Sequence, residues 1–264
     1  GGAAIIGEEG AMVTLDLEGK RALVTGGSRG VGRATALMLA RAGADVGITY
    51  RTRQQEADAV VADIERLGRR GWAEGGDLTD PEFIERVFRR VDEEFGGLDI
   101  FVGNAGIWPP EHTPIERMSP EQWRRTLAIN LESVILCTQE AARRIGRGGR
   151  IVLVGSTAGQ RGEAGHADYA ASKGAIISFV KSVAVELAPR DITVNCVAPG
   201  WIDTEMCEEP FAGGGRARIE AEIPLGRVAS VEDVAGPIVF LCSDLARHVT
   251  GEVLNVNGGS VLCG

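Results

Sequence analysis

Short runs of aliphatic residues alternate along the chain with longer amphipathic stretches, beginning at residue 21. The short runs are apolar without polar alternation, which is the pattern of strands covered on both faces of a sheet. They predict seven strands, at Arg21–Thr25, Asp45–Tyr50, Trp72–Asp77, Asp99–Gly103, Arg150–Gly155, Thr193–Ala198 and Val253–Val256. The stretches between the strands predict helices at residues 30–42, 53–68, 81–95, 119–145, 168–189 and 230–242.

Two of these helices carry clear start signals. Thr79-Asp80-Pro81 and Ser119-Pro120-Glu121 each place a capping residue before a first-turn proline. Because strands and helices alternate, the sequence predicts an α/β protein with a single-domain Rossmann fold. Its sheet would be a doubly wound parallel sheet of about seven strands with helices on both faces.

No linker, repeat or low-complexity segment divides the chain, so we expect one catalytic domain at residues 17–264. Residues 1–16 are expected to form a flexible N-terminal extension, and Gly1–Gly10 lacks the basic region and long apolar stretch of a signal peptide. The segment Trp201–Gly226, which contains three consecutive glycines, is expected to be a long irregular insertion. Such an insertion is typical of a lid or binding loop, and plain disorder is the alternative.

Composition narrows the possible functions. A hydrophobic content of 44% and a charged content of 25% are ordinary for a soluble globular protein. The net charge of −9 argues against a nucleic-acid-binding surface, and no apolar run reaches the length of a membrane span. The five cysteines and three histidines form no cluster, so we expect reduced thiols, no metal site and a cytoplasmic location.

A glycine-rich segment follows the first predicted strand and leads directly into a helix. Its spacing is Gly26-x-x-x-Gly30-x-Gly32, with Ser28 and Val31 inside it. Glycines in this position allow a tight turn and let the backbone approach a pyrophosphate, which then rests on the helix N-terminus. The segment therefore predicts a dinucleotide site, and the alternative is an ordinary strand-to-helix turn.

The end of the second strand bears on the choice of cofactor. An acidic residue there would bind a ribose 2′-hydroxyl and favour NAD(H). This chain has Tyr50-Arg51-Thr-Arg53 instead, and Arg29 lies inside the glycine loop. Guanidinium groups suit a 2′-phosphate, so NADP(H) is favoured over NAD(H). The alternative is that Arg51 and Arg53 only begin an exposed, charged helix.

Two further strand ends carry residues suited to a cofactor. Asp77, beside Leu78, could accept a hydrogen bond from the adenine amino group, or it could only help to cap the helix at Pro81. Gly103-Asn-Ala-Gly106 closes the fourth strand, where small residues would let the cofactor pass close to the sheet.

A tyrosine and a lysine lie four residues apart in Tyr169-Ala-Ala-Ser-Lys173 and would share one face of a helix. A phenol beside an ammonium is a proton donor whose anion is stabilised. Ser156, thirteen residues before Tyr169, could hold a substrate oxygen against that phenol. Taken alone, this pair could also be an ordinary helix-surface pair.

Several motifs, in order along the chain, resemble those of the short-chain dehydrogenase/reductase family. The resemblance covers roughly Leu17 to Gly259. It depends on Thr25-Gly-x-x-x-Gly-x-Gly32, Asn104-Ala-Gly106, Asn130, Ser156, Tyr169-x-x-x-Lys173 and Pro199-Gly200. The resemblance implies an NAD(P)-dependent oxidoreductase acting on a carbonyl or an alcohol.

The resemblance also implies roles for four catalytic residues. Tyr169 would protonate the carbonyl oxygen as hydride is transferred, and Lys173 would lower the pKa of that phenol and bind the nicotinamide ribose. Ser156 would hold and polarise the substrate oxygen. Asn130 would anchor a water that relays protons to Lys173.

For the cofactor, the resemblance implies that Thr204 and the backbone of Ile202 bind the nicotinamide carboxamide. Together with the motifs above, this gives a set of predicted cofactor-binding residues. They are Gly26, Ser28, Arg29, Gly30, Val31, Gly32, Tyr50, Arg51, Asp77, Leu78, Asn104, Ala105, Gly106, Tyr169, Lys173, Pro199, Gly200, Ile202 and Thr204.

Within the family, the segments Thr250–Gly259 and Asp191–Asn195 are similar to those of 3-oxoacyl-[acyl-carrier-protein] reductases. Arg147 and Arg190 fall where those enzymes dock the acidic carrier protein, although solvated surface charge is an equal reading. The alternatives are a reductase of acetoacetyl-CoA, a dehydrogenase of a sugar, polyol or small ketone, and, in another class, a non-catalytic NADP-binding sensor. The expected substrate-pocket residues are Trp108, His166 and Trp201, although His166 could equally be an exposed loop histidine.

The long predicted helices 119–145 and 168–189 carry aliphatic faces beyond what one sheet needs. Members of the family pair these helices between subunits, so the resemblance implies a homotetramer.

Overall fold

The computed structural model describes residues 15–263. Seven parallel strands form one sheet in the order β3-β2-β1-β4-β5-β6-β7. The strands are β1 Arg21–Val24, β2 Asp45–Tyr50, β3 Gly71–Gly75, β4 Leu98–Gly103, β5 Ile145–Val154, β6 Thr193–Pro199 and β7 Val253–Val256. The predicted doubly wound α/β fold is therefore confirmed.

Ten α-helices connect the strands in the described residues and lie on both faces of the sheet. They are α1 Gly30–Arg41, α2 Gln54–Arg66, α3 Pro81–Phe95, α4 Pro120–Leu127, α5 Ser133–Arg144, α6 Ala158–Arg161, α7 Ala167–Leu187, α8 Glu208–Phe211, α9 Gly215–Glu222 and α10 Val231–Cys242. One apolar core lies between the sheet and α1, α2 and α10. A second core lies on the other face, beneath α3, α5 and α7.

The predicted start signals of two helices are confirmed. Asp80 caps α3 by accepting a hydrogen bond from the Glu82 N–H at 3.0 Å. Ser119 caps α4 by accepting from the Gln122 N–H at 3.1 Å. In both helices a proline occupies the first turn. An N–H group at that position has no acceptor within the helix, so the proline costs no hydrogen bond.

The prediction of one continuous helix at 119–145 is wrong in its interior and at its end. A π-helical turn at Ala128–Glu132 separates α4 from α5. The helical hydrogen bonds there reach back five residues instead of four, and the Ser133 N–H donates to the Ala128 carbonyl. The fifth strand also begins earlier than predicted, at Ile145, because Leu98 pairs with Ile145 before the register shifts and Ile100 pairs with Arg150.

The segment Trp201–Gly226 is more regular than predicted. It contains α8 and α9, joined by a 3₁₀ turn at Ala212–Gly214. Gly213 and Gly214 adopt left-handed φ values of +58° and +83°, which glycine reaches without strain, and they form the kink between the two helices. The expected irregular insertion is therefore a pair of short helices connected through its glycines.

The sheet order places a topological switch point at β1. This strand pairs with β2 on one side and with β4 on the other. The chain leaves the two strands toward opposite faces of the sheet, so a crevice opens at their carboxyl ends. The motifs of β1, β4, β5 and β6 all follow the carboxyl ends of their strands and meet at this crevice.

At the start of the described chain, Leu17 is buried and its N–H donates to the Ala42 carbonyl at 2.7 Å. The division into an extension at 1–16 and a domain at 17–264 stays a prediction, and residues 1–14 lie outside the described residues. Within residues 15–263, no helix is long and apolar enough to cross a membrane. The same residues contain no cluster of His, Cys, Asp or Glu suited to a metal ion.

Candidate active site

A cleft of about 760 Å³ opens at the switch point. All the predicted cofactor-binding residues line this cleft, as do Ser156, Trp108 and Trp201. Among the predicted site residues, Asn130 and His166 do not line it. Local sequence patterns had not singled out Glu163, Met206 and Cys207, which also line the cleft.

The glycine loop is held in a tight turn by close backbone packing. A side chain added at Gly32 would place its Cβ 2.2 Å from the carbonyl oxygen of Gly26. Asn104, after β4, donates through its Nδ2 to the carbonyls of Thr25 and Gly26, at 3.0 and 3.2 Å. The loop thus brings the N-terminus of α1 to the crevice, where its first N–H groups suit a pyrophosphate.

The residues predicted to contact the adenosine end hold one another in ion pairs. Arg51 pairs with Asp77 at 3.2 Å. Asp77 also accepts from the N–H and the hydroxyl of Thr79, at 2.9 and 2.8 Å, and these bonds hold the pKa of its carboxyl below the usual value. The alternative role of Asp77 as a cap for the helix at Pro81 is wrong, because Asp80 caps that helix.

Tyr169 and Lys173 lie one turn apart on α7 and face the crevice, while Ser156 follows the end of β5. The Ser156 hydroxyl is within hydrogen-bonding reach of the Tyr169 phenol. The Nζ of Lys173, a buried side chain, donates to the Val154 carbonyl at 2.9 Å and lies 5.9 Å from the centre of the Tyr169 ring. The structure thus brings together the phenol, the hydroxyl and the ammonium.

Burial dominates the acid–base properties of this group. It raises the pKa of Tyr169 to about 12, and the Ser156 hydrogen bond offsets part of that rise. Burial also lowers the pKa of Lys173 to about 8. The ammonium of Lys173 bonds a backbone carbonyl rather than the phenol, and the lowering of the Tyr169 pKa by Lys173 stays a prediction.

Asn130 lies in the π-helical turn and is fully buried. Its Oδ1 accepts from the Ile107 N–H at 2.8 Å, and its Nδ2 donates to the Ile107 carbonyl at 2.9 Å. A Cβ at Gly106 would lie 3.2 Å from Asn130 Oδ1 and 3.5 Å from Lys173 Nζ. Gly106 therefore leaves a gap that both polar groups border.

Aromatic rings line the side of the cleft nearest Tyr169. The Trp108 ring stands edge-on to Tyr169, with centroids 4.7 Å apart, and Trp201 lies 6.1 Å from Trp108. Phe211 of α8 extends this wall at 6.1 Å from Trp201. We call Trp108, Trp201 and Phe211 the aromatic wall.

The role of His166 in the substrate pocket stays a prediction. His166 is buried, with its ring centroid 4.0 Å from that of Trp108. Burial lowers the pKa of its imidazole, and among the described residues its Nδ1 has no hydrogen-bond partner. His166 therefore packs against Trp108 and does not itself line the cleft.

Comparison with known proteins identifies the family. A short-chain dehydrogenase from Burkholderia cenocepacia, solved in complex with NADP, is 42% identical, with a TM-score of 0.87 over 92% of this chain and 98% of its own. A family model described as enoyl-(acyl carrier protein) reductase matches residues 26–260. This chain belongs to the short-chain dehydrogenase/reductase family. The family resemblance, the fold and the assignment as an oxidoreductase are therefore confirmed.

Other members of the short-chain dehydrogenase/reductase family are similar over nearly their whole length. The 3-oxoacyl-[acyl-carrier-protein] reductase of Escherichia coli is 43% identical over 93% of this chain and 98% of its own. The reductase of the same name from Aquifex aeolicus is 41% identical over the same shares. A blue fluorescent protein from a metagenomic library, solved with NADPH, is 36% identical, with a TM-score of 0.87 over 94% of this chain and 100% of its own.

Proposed function

We propose that this short-chain dehydrogenase/reductase is an NADP(H)-dependent reductase that converts a 3-oxoacyl thioester into the 3-hydroxyacyl form. The observation that carries the proposal is the meeting of Tyr169, Ser156 and Lys173 at the mouth of a dinucleotide cleft. The 43% identity with a 3-oxoacyl-[acyl-carrier-protein] reductase over nearly full length supports the choice of substrate.

The residues present fit NADP(H). The close approach at Gly32 leaves no room for a side chain where the pyrophosphate would pass, and Gly30 has a φ of +54° that suits glycine. Arg29, Arg51 and Arg53 supply guanidinium groups for a 2′-phosphate. NADPH, when bound, supplies the hydride. Ile202 and Thr204, which also line the cleft, would hold the nicotinamide carboxamide.

In the proposed reaction, Ser156 donates a hydrogen bond to the substrate carbonyl oxygen and orients it toward Tyr169. Tyr169 then donates its phenolic proton to that oxygen. Because burial raises the pKa of Tyr169 to about 12, this residue holds its proton at neutral pH until negative charge develops on the substrate oxygen. The proton is therefore in place for the reductive direction, in which the alkoxide that forms is a stronger base than the phenolate.

Lys173 and Asn130 would return a proton to the phenol. A pKa of about 8 lets Lys173 exchange protons close to neutrality. Asn130 Oδ1 is bonded to Ile107 and keeps a second lone pair for a water in the gap left by Gly106. Through its two hydrogen bonds to the Ile107 backbone, Asn130 also positions the segment after β4.

The geometry favours a carbonyl over an enoyl double bond as the reducible group. The hydroxyls of Ser156 and Tyr169 lie within hydrogen-bonding reach of each other in the same cleft, so a carbonyl oxygen could accept a hydrogen bond from both. Reduction of a carbon–carbon double bond would instead require the proton to reach a carbon atom. A small ketone remains the second candidate, because the aromatic wall approaches to within 4.7 Å of Tyr169 and favours a compact apolar group beside the carbonyl.

A panel of substrates tests the proposal. Purified protein is assayed for oxidation of NADPH and of NADH with acetoacetyl-CoA, acetoacetyl-[acyl-carrier-protein], crotonyl-CoA, a sugar and a simple aryl ketone. We expect turnover of the acetoacetyl thioesters with NADPH in preference to NADH, and a loss of at least about 100-fold in Tyr169→Phe. Turnover of crotonyl-CoA alone would contradict the carbonyl assignment, and binding of NADPH without turnover of any substrate would favour a sensor.

Docking of an acidic carrier protein by Arg147 and Arg190 is the finer part of the proposal. Arg147 is exposed and its guanidinium donates to the Pro189 carbonyl at 3.3 Å. Arg190 already bonds the Ala142 carbonyl at 2.7 Å, near the C-terminus of α5, and also the Ile145 carbonyl. We therefore expect Arg147→Glu to raise KM for the carrier-protein substrate while leaving KM for acetoacetyl-CoA unchanged. Equal effects on both substrates would contradict docking at Arg147.

We further propose a homotetramer located in the cytoplasm. Val185 of α7 is 76% exposed, and it places an apolar side chain on the exposed face of a helix whose other face packs on the core. Burial of this position against another subunit would remove apolar surface from water. Size-exclusion chromatography with light scattering tests the assembly, and Val185→Glu is expected to reduce its size. A monomeric wild-type protein would contradict the proposal.

A further inference from the structure

One carboxylate bridges two arginines at the adenosine end of the cleft. The Oε2 atom of Glu205 lies 2.5 Å from Arg29 Nη1 and 2.6 Å from Arg53 Nη2. Arg29 belongs to the glycine loop after β1, Arg53 immediately precedes α2, and Glu205 follows β6. Three segments that are distant in sequence therefore meet at one carboxylate oxygen.

Arg29 and Arg53 are two of the three arginines proposed above to recognise a 2′-phosphate, and the third, Arg51, pairs with Asp77 instead. A phosphate oxygen between two guanidinium groups would make the same charge-assisted hydrogen bonds that the Glu205 oxygen makes here. A second arginine nitrogen, Arg53 Nη1, bonds Glu56 at 3.1 Å and is not involved with Glu205. The Glu205 carboxylate thus stands where an anionic group of a cofactor would be bound.

Glu205 also belongs to the substrate side of the cleft. It begins a 3₁₀ turn whose other members, Met206 and Cys207, line the cleft, and α8 with Phe211 of the aromatic wall follows directly. The preceding residue, Thr204, approaches the glycine loop, because a Cβ at Gly30 would lie 3.7 Å from its Cγ2. A displacement of the Glu205 side chain therefore acts at the start of the segment that bounds the substrate pocket.

We propose that Glu205 is an internal anion that occupies the 2′-phosphate position and is displaced by the 2′-phosphate of NADP(H), so that recognition of that phosphate is coupled to a change in segment 203–222. This inference rests on the proposed function. NADH lacks the phosphate and leaves Glu205 paired with both arginines. The dianionic phosphate displaces the monoanionic carboxylate because two guanidinium groups attract the larger charge more strongly.

The exposure of the two ion pairs sets the expected change in affinity for a 2′-phosphate. The side chains of Arg29, Arg53 and Glu205 are 50%, 39% and 47% exposed, so each ion pair is weakly stabilising and easily exchanged. Removing the carboxylate charge should therefore increase the affinity for a 2′-phosphate by roughly threefold to tenfold. The affinity for ligands without that phosphate should change by less than about twofold.

Glu205→Gln tests the inference against the matched variant Glu209→Gln. Glu209 is exposed on α8 and contacts neither arginine. The substitution Glu209→Gln therefore removes one negative charge from the same segment without breaking an ion pair to Arg29 or Arg53. Isothermal titration calorimetry measures Kd for NADPH, NADH, adenosine 2′-phosphate and adenosine 5′-phosphate on wild type and both variants. We expect Glu205→Gln alone to tighten binding of NADPH and adenosine 2′-phosphate, with the other two ligands unaffected.

Hydrogen–deuterium exchange gives a second readout that does not depend on activity. In the wild type, adenosine 2′-phosphate should change the exchange of segment 203–222, whereas adenosine 5′-phosphate should not. In unliganded Glu205→Gln, that segment should already differ from the unliganded wild type. The inference would be overturned if the two glutamate variants had equal effects, or if Glu205→Gln raised the affinity for NADH as much as that for NADPH. Weaker binding of NADPH by Glu205→Gln would also overturn it.

The same experiment separates the inference from the proposed function. Wild-type protein that binds NADH but neither NADPH nor adenosine 2′-phosphate would overturn the proposed cofactor, and the inference with it. Wild-type protein that prefers NADPH, with no difference between Glu205→Gln and Glu209→Gln, would overturn the inference alone.

Discussion

The ionisation of Tyr169 gives a direct test of how the site is built. Burial raises the pKa of this phenol from its usual value near 10 to about 12, which corresponds to roughly 3 kcal/mol against the phenolate. At pH 10, about 1% of Tyr169 should therefore be ionised in the folded protein, compared with about half for an exposed phenol. Because the folded state holds the proton more tightly than the unfolded chain, stability should fall as the pH rises from 10 to 12.

The assay exploits the small number of tyrosines, of which the chain has two. The tyrosinate absorbance of wild type minus that of Tyr169→Phe reports Tyr169 alone. Trp108→Ala removes the ring that stands 4.7 Å away and admits water, so the ionised fraction at pH 10 should rise from about 1% toward 10% or more. Half-ionised Tyr169 in the folded wild type, or no response to Trp108→Ala, would refute the account of desolvation.

Two further predictions concern packing and thiol reactivity. Gly32→Ala should destabilise the protein by about 1–3 kcal/mol in urea denaturation, because its Cβ would lie 2.2 Å from a backbone oxygen, and it should weaken NADPH binding. The control Gly146→Ala lies at an exposed position of β5 with open space around its Cβ and no positive φ, so it should change stability by less than about 0.5 kcal/mol. An equal loss of stability in both variants would contradict the packing argument. Burial raises the pKa values of three thiols to about 11 or 12. A disulfide reagent should therefore label the folded protein quickly at the exposed Cys263 and slowly at the half-buried Cys207, and it should label the three buried thiols only after unfolding. Rapid labelling of a third thiol in the folded protein would show that the core opens. The thiols expected to be protected are Cys137, Cys196 and Cys242.

The strands were predictable from the sequence because parallel strands bury both faces and leave continuous apolar runs. The strand β6 is buried along its whole length, and its predicted range, Thr193–Ala198, differs from the observed one by a single residue. The motifs at the ends of the strands were predictable for the same reason, since the topology brings the carboxyl ends of parallel strands to one crevice.

The features that sequence reasoning missed depend on contacts between distant segments. The π-helical turn that holds Asn130 leaves no break in the hydrophobic pattern, because it changes the backbone ladder by one residue without a proline or glycine. The bridge from Glu205 to Arg29 spans 176 residues, and no local pattern indicates it. Likewise, no local sequence pattern indicates that the His166 ring packs against Trp108.

Isotope transfer provides the most direct test of the central claim, reduction of a 3-oxoacyl thioester with Tyr169 as the acid. NADPH deuterated at C4 of the nicotinamide, in each of its two configurations, is incubated with acetoacetyl thioester, and the product is analysed by mass spectrometry. We predict that one configuration alone delivers deuterium to C3 of the 3-hydroxyacyl product, and that Tyr169→Phe nearly abolishes this transfer although it still binds NADPH. Product without deuterium from either cofactor, or undiminished transfer in Tyr169→Phe, would contradict the claim.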